Sequence, residues 1–349
     1  MKSSMPKLRI FATVAMLALL LSGCSGKPYL STLQPSGESA ELLLDLMLLA
    51  TGIMTFVVIV VTVIFIYVSI RFRRNKQNEN DIPKQIEGNH KLEILWTVIP
   101  IILLLILAVP TIAATFKLDV TEDTVIPEDA EQINVMAKLY WWEFEYEDDK
   151  IVTSQDLVIP AGERVYFKLK AGDVKHAFWI PAIAGKIDTN TDNTNRMWVQ
   201  ANEPGLFYGK CTELCGPSHA LMDFKVRVLA KDEYEQWKKN MLEPAAEPTT
   251  ELAVQGQEIF NQSCIGCHAV ESQDPRPVEA RLAPNLSNFA DREVIAGILE
   301  HNPEELKKWL KDPETLKPGN KMTNTYAPLN DQELDALTEY LYTLTKEQK

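Results

Sequence analysis

The sequence predicts a multi-domain membrane protein: a two-helix transmembrane hairpin, then an all-β domain, then an all-α domain. Three observations carry this reading. Two long apolar runs, Leu46–Ile70 and Ile94–Phe116, contain no charged residue. Short β-branched and aromatic runs fill residues 119–232, and helical periodicity takes over beyond a proline-bearing stretch near residue 245. With 349 residues, about two soluble domains are affordable at roughly 150 residues each. An apolar content of 46% with 24% charged residues excludes a disordered or collagen-like chain. The net charge of −13 argues against a nucleic-acid partner, which requires a basic face.

The hairpin follows from length. The run Leu46–Ile70 has 25 residues, about 37 Å as a helix against a hydrocarbon core of about 30 Å. Ile94–Phe116 has 23 and includes Pro100 and Pro110, which membrane helices tolerate when neighbours satisfy the freed backbone groups. Between them lie Arg71, Arg73, Arg74, Lys76, Lys84 and Lys91, so this loop faces the cytoplasm and both chain ends lie outside. Ahead of the hairpin, Lys2, Lys7 and Arg9 precede the short apolar run Ile10–Leu21, the pattern of an export signal. Leu21-Ser22-Gly23-Cys24 resembles a bacterial lipobox, with residues 1–23 removed and Cys24 lipidated. Charge divides accordingly: 11 basic and 7 acidic residues up to 117, 24 and 41 after it.

In the β-rich part the expected strands are Gln132–Trp142, Ile151–Ile159, Arg164–Lys170, Arg196–Val199 and Phe224–Leu229, separated by Pro/Gly turns, as in a sandwich or small barrel. Cys211, Cys215, His219 and Met222 share one loop, and His176 follows a strand. Thiolate, imidazole and thioether suit copper, and a second thiolate allows two ions to be bridged. A structural zinc site and a Cys211–Cys215 disulfide remain open on the residues alone.

Beyond a linker over 233–250, which ends in the proline-bearing Glu243–Thr250, Cys264-Ile-Gly-Cys267-His268 is the c-type haem attachment pattern. A thioredoxin-like redox pair would need a βαβ context, which is missing from the pattern. Met322, the only Met after residue 268, is the expected second axial ligand; His301, the alternative, reads as a surface residue at a helix end. A Met/His pair raises the haem potential. Val254–Gln262, Pro303–Lys311 and Asp331–Thr345 read as helices, the last with Asp331 as N-cap.

The segment from Pro204 through Cys211 to Met222 resembles the dinuclear copper (CuA) loop of cytochrome c oxidase subunit II, and the hairpin is similar to that family's; the likeness covers roughly residues 40–230. The resemblance implies a cupredoxin-like domain over 119–232, following the hairpin at 24–118, and a fused class I cytochrome c domain over 251–349. It implies copper ligation by His176, Cys211, Cys215, His219, Met222 and the Glu213 carbonyl, with the Glu213 side chain reaching magnesium at a subunit boundary. It implies haem c tethered at Cys264 and Cys267 with His268 and Met322 on the iron. Glu93 would lie at the mouth of a proton pathway, and one of Tyr140, Trp141 and Trp142 where electrons arrive. Lys186-Ile-Asp188 resembles a family element but lacks its Pro-Gly. The implied function is that of an oxidoreductase subunit without the oxygen site: electrons pass from haem c to copper and on to the catalytic subunit, which reduces oxygen to water with proton pumping. The implied partners are that subunit, other oxidase subunits, the membrane, and cytochrome c or an upstream cytochrome complex as donor. No histidine set exists in the spans to hold the oxygen site itself. Quinol-oxidising relatives lack the copper ligands that this chain keeps. The rival readings are an anchored carrier without an oxidase and a copper-delivery lipoprotein.

Overall fold

The structure, a computed structural model, describes residues 16, 30–75, 82 and 85–347. Apart from residue 16, the expected signal lies outside the described residues, and so does Cys24. The chain divides into two compact units, residues 41–119 and a second comprising the rest.

The first unit consists of two helices, α1 (Glu38–Arg71, whose first turn belongs to the second unit) and α2 (His90–Leu118). Both are long and apolar enough to cross a bilayer. Their side chains face outward, with Phe65, Ile70 and Phe116 each more than two-thirds exposed, a pattern that hydrocarbon satisfies and water does not. Asn89 caps α2 by accepting from the Lys91 and Leu92 amides at 3.1 and 3.3 Å. Beside Pro110, the Thr111 and Thr115 hydroxyls donate to carbonyls one turn back.

In the second unit, ten strands form two five-stranded sheets. They are β1 (Gln132–Lys138), β2 (Trp141–Tyr146), β3 (Ile151–Ser154), β4 (Asp156–Pro160), β5 (Val165–Ala171), β6 (His176–Trp179), β7 (Lys186–Thr189), β8 (Asn195–Val199), β9 (Gly205–Cys211) and β10 (Asp223–Leu229). The sheet orders are β3-β2-β1-β5-β8 and β4-β10-β9-β6-β7. Aromatic rings fill the space between them; Phe178 stacks on Phe224 at 4.9 Å and 14°. This is a cupredoxin-like sandwich.

Two expected strands divide. Gln132–Trp142 breaks after Lys138 into the hairpin β1–β2, with Ala137 opposite Trp142. Ile151–Ile159 breaks at Gln155, whose φ of 70° turns the chain from one sheet into the other. The short strands β6 and β7, four residues each, carry too little pattern to be read from sequence.

A helix α3 (Lys231–Leu242) occupies much of the stretch expected to be linker. Tyr234, Trp237 and Met241 lie on one helical face and join the sandwich core, with Trp237 5.1 Å from the Tyr146 ring. That spacing makes the segment helical despite its polar remainder. Only residues 243–250 are irregular.

The remainder is built from α4 (Glu251–Ser263), α5 (Pro303–Lys311), a short α6 (Pro313–Leu316) and α7 (Asp331–Leu341), with a two-residue β11–β12 pairing (Val294–Ile295, Leu299–Glu300). Asn330, not Asp331, caps α7: its side chain accepts from the Glu333 amide at 3.0 Å while Glu333 accepts from the Asn330 amide at 2.8 Å, a capping box. Helix α4 crosses α7 at Gly256, where an added Cβ would lie 2.0 Å from the Ala336 carbonyl oxygen. A Gly256→Val substitution is expected to destabilise this helix pair by about 1–3 kcal/mol, because backbone cannot yield as a side chain can. Faster amide exchange in α4 and α7 checks it.

Candidate functional site

Strands β9 and β10 are antiparallel neighbours, and the loop joining them is tied at its neck. The Cys211 amide donates to the Met222 carbonyl at 3.1 Å, and Lys210 pairs with Asp223 at 2.7 Å one step outward. Within the loop, the Cys211 and Cys215 sulfurs are 4.0 Å apart. Cys211 Sγ lies 3.8 Å from His176 Nδ1 and 3.3 Å from the Glu213 carbonyl. Cys215 Sγ lies 3.6 Å from His219 Nδ1 and 4.0 Å from Met222 Sδ. All six expected donors are thus brought together. The thiols are free, and 4.0 Å is twice a disulfide length of about 2.05 Å, so that alternative falls.

The electrostatics suit a cation. Burial opposes ionisation of Cys211, but the His176 ring and the backbone at Ala177 and Glu213 overcome it and lower the thiol. Cys215 is pushed up by burial and by the neighbouring Cys211 sulfur. Two thiolates at this spacing repel in a dry site, and a metal between them removes that penalty. The donors His176, Cys211 and Cys215 lie within 4.8 Å of one another.

Sequence reasoning missed Asp173. Its carboxylate accepts from His176 Nε2 at 2.9 Å and from the Leu139 and Val174 amides at 2.7 Å each. The first bond fixes the tautomer that leaves Nδ1 bare toward the sulfurs. Asp173 lies in the turn Ala171-Gly-Asp173, where an acidic residue three before a His was the available signal.

The three aromatics take different places. Trp142 is fully buried, with its ring 6.2 Å from His176 and its Nε1 donating to the Met222 carbonyl at 3.5 Å. Trp141 faces the opposite side of the strand, under the Lys138 ammonium at 5.0 Å. The Tyr140 hydroxyl abuts Gly216, where φ is +141° and a Cβ would come within 2.4 Å of that oxygen. None of the three is more than 7% exposed. Asp188 on β7 pairs with Lys175 at 2.7 Å and Lys186 at 3.1 Å.

In the helical part, Cys264 follows α4 directly and the His268 amide returns to the Cys264 carbonyl at 3.0 Å. His268 Nδ1 lies 2.7 Å from the Pro284 carbonyl, so it carries the proton and leaves Nε2 bare. Burial pushes this imidazole down to about 4, which keeps it neutral. Asn320 accepts from the Met322 amide at 2.9 Å, and Met322 and Cys264 pack on the same apolar cluster. Two reduced thiols, a neutral imidazole with one free nitrogen and a thioether fit a covalently held haem. His301 is half-buried rather than on the surface: its ring lies 5.1 Å from both Phe289 and Tyr342, and neither ring nitrogen has a hydrogen-bond partner. Glu93 sits in the first turn of α2, 3.6 Å from His90.

The two candidate sites meet. Ser218 Oγ donates to the Pro318 carbonyl at 2.7 Å, joining the loop before His219 to the loop before Met322. Beneath them Lys317 is buried, its ammonium donating to the Ala296 carbonyl at 2.7 Å.

A membrane-anchored electron-transfer protein, with a copper site in its β-sandwich and a haem c site in its helical part, is the class this architecture defines. The family profile described as "Cytochrome C oxidase subunit II, transmembrane domain" matches residues 31–114, the corresponding periplasmic-domain profile matches 150–229, and "Cytochrome c" matches 253–345. Cytochrome c oxidase subunit 2 of Bacillus sp. (strain PS3) is 60% identical over 97% of this chain and 98% of its own length. The same protein of Bacillus subtilis (strain 168) is 53% identical over 98% and 99%. Quinol oxidase subunit 2 of Bacillus cereus (strain ATCC 14579) is more distant, 29% identical over 75% and 90%. The chain belongs to the cytochrome c oxidase subunit II family, and it is an electron-transfer subunit of a terminal oxidase, associated with a catalytic subunit in the membrane.

Burial brings the Lys317 ammonium down to about 7. Its unfolded value is higher, so the unfolded chain binds more protons between pH 7 and about 10.4, and the cost of burying the charge is largest below pH 7 and fades as pH rises. Lys317→Met is therefore expected to raise the melting temperature at pH 6 and to lose most of that gain by pH 10, as thermal scans at the two values would show.

Proposed function

We propose that His176, Cys211, Cys215, His219, Met222 and the Glu213 carbonyl hold a dinuclear copper centre, and that Cys264, Cys267, His268 and Met322 hold haem c. The observation that supports it most directly is the convergence of two thiols, two imidazoles and a thioether within one tied loop and its neighbouring strand. When bound, the copper pair and the haem each supply a reversible one-electron carrier. The protein's own part is to hold tautomers and exclude water. Asp173 keeps Nδ1 of His176 free, the Pro284 carbonyl keeps Nε2 of His268 free, and Trp142 and Phe178 close the copper side with apolar rings.

Four further assignments belong to this reading. The Glu213 side chain, half-exposed on the same loop, reaches magnesium at the boundary with the catalytic subunit. Glu93 opens a proton pathway into that subunit from the cytoplasmic face. Cys24 is lipidated after removal of residues 1–23, and both soluble domains, 119–232 and 251–349, lie outside the cell membrane of a bacterium. The external donor is cytochrome c or an upstream cytochrome complex, and it delivers electrons to the cytochrome part.

The purified protein in detergent is expected to show both haem c absorption and the hyperfine pattern of a mixed-valence copper pair. A colourless preparation carrying zinc alone would overturn the assignment. Met322→Ala should abolish the low-spin Met-ligated spectrum. Asp173→Ala should weaken copper binding about 10- to 100-fold while leaving the haem spectrum intact, since it removes only the group that orients His176; a competitive copper titration checks it.

A further inference from the structure

Between the β-sandwich and the cytochrome part lies a group of charges that neither site uses. Strand β2 alternates, so Trp142, Phe144 and Tyr146 enter the sandwich core while Trp141, Glu143 and Glu145 line its other face. Arg281, from the cytochrome part, reaches that face: its guanidinium lies 2.7 Å from Glu145 and 3.5 Å from Glu143. Lys138 lies 3.6 Å from Glu143, stacks over Trp141, and donates to the Val278 and Arg281 carbonyls at 3.1 and 2.6 Å. Glu143 and Arg281 are 2% and 6% exposed.

A buried ion pair adds little net stability over an apolar contact of the same size, because both partners lose water. What it adds is register: any seating that separates the pair leaves a charge dry and unpaired. Around this group the seam is fixed by the backbone as well. The Val152 amide donates to the Ser272 carbonyl at 2.8 Å, and the Asn285 amide donates to Ser154 Oγ at 2.9 Å. At the other end of the seam, Ser218 holds Pro318.

We propose that Arg281, with Glu143, Glu145 and Lys138, is an ionic latch that seats the cytochrome part on the copper part in one register. In that register the haem loop, Pro318–Met322, lies against the copper loop at Ser218 and Tyr140. The four are positioning residues for electron exchange within the chain, and the latch makes that exchange independent of swinging on residues 243–250. The proposal rests on the assignment of the two centres given above.

The test uses the full protein in detergent with both centres loaded. Arg281→Glu puts a third carboxylate into the group, and Glu145→Lys, at the more exposed end, is the milder companion. Each is expected to raise amide exchange over residues 272–285 and proteolytic nicking within 243–250. Each should also slow one-electron equilibration after flash reduction by roughly tenfold or more, as expected when a buried charge loses its partner. Haem absorption, copper resonance and both midpoint potentials should stay unchanged. The double variant with the charges exchanged, Arg281→Glu with Glu145→Arg, should recover protection and rate. Wild-type protection and rate in Arg281→Glu would overturn the latch, as would a slowed rate with unchanged protection. Absent copper or haem signals in the unmutated protein would overturn the ligand assignment instead, and the exchange and nicking readouts would still decide the latch.

Discussion

The hydrogen bond from the Cys211 amide to the Met222 carbonyl is the constraint on which the site depends. It ends a strand pairing that runs through six residue pairs from Val228 opposite Gly205 to Asp223 opposite Lys210. Adjacent antiparallel strands hold the ends of a loop a few ångströms apart whatever the loop does between them. Residues 212–221 therefore have to turn within a closed neck. Cys215 returns to the sulfur of Cys211 and the thioether of Met222, and His219, four residues on, returns to the sulfur of Cys215. The sandwich core beneath, with Trp142 and Phe224 packed at 5.3 Å, makes the neck rigid. The ends of the donor-bearing loop are placed here by β-sheet register rather than by the loop's own preferences.

Contacts continue from the sandwich to the cytochrome part. Helix α3 is the connection: by burying Tyr234, Trp237 and Met241 in the sandwich core it spends most of the supposed linker before the chain leaves the domain. Eight irregular residues then remain, and the Ala245 amide is held by Glu271 while the Lys346 side chain bonds to the Glu243 carbonyl. A flexible tether would let two redox parts meet by diffusion. Here the sequence invests in contact instead, with ion pairs, backbone bonds and a serine–proline contact along one seam.

Much of this was legible from the residues. The uncharged runs fixed the hairpin because a bilayer sets a length that few soluble helices meet, and the donor residues were legible because thiol, imidazole and thioether rarely cluster by accident. What stayed hidden depends on long-range packing. The turn of Gln155 into positive φ splits a continuous apolar run between two sheets, and composition does not encode which sheet a strand joins. Asn330 rather than Asp331 caps α7 because either side chain suits the position and only backbone geometry chooses. His301 reads as a surface residue because it stands at a helix end, yet Phe289 and Tyr342, both distant in sequence, pack against its ring.

Trp141 shows what the assembled chain adds to any reading of one segment. In sequence it is one of three adjacent aromatics, and resemblance alone makes each a candidate for receiving electrons. Strand alternation removes Trp142 to the core, where it braces His176 from behind. Trp141 then lies on the outer face of the sandwich, but it is buried there under Lys138, whose ammonium is in turn held by the Val278 and Arg281 carbonyls of the cytochrome part. Tyr140 stands at the junction itself, its hydroxyl against Gly216 and within 3.4 Å of a Cβ placed on Gly319. Of the three, Tyr140 is thus the one that touches both the loop of Cys215 and the loop before Met322.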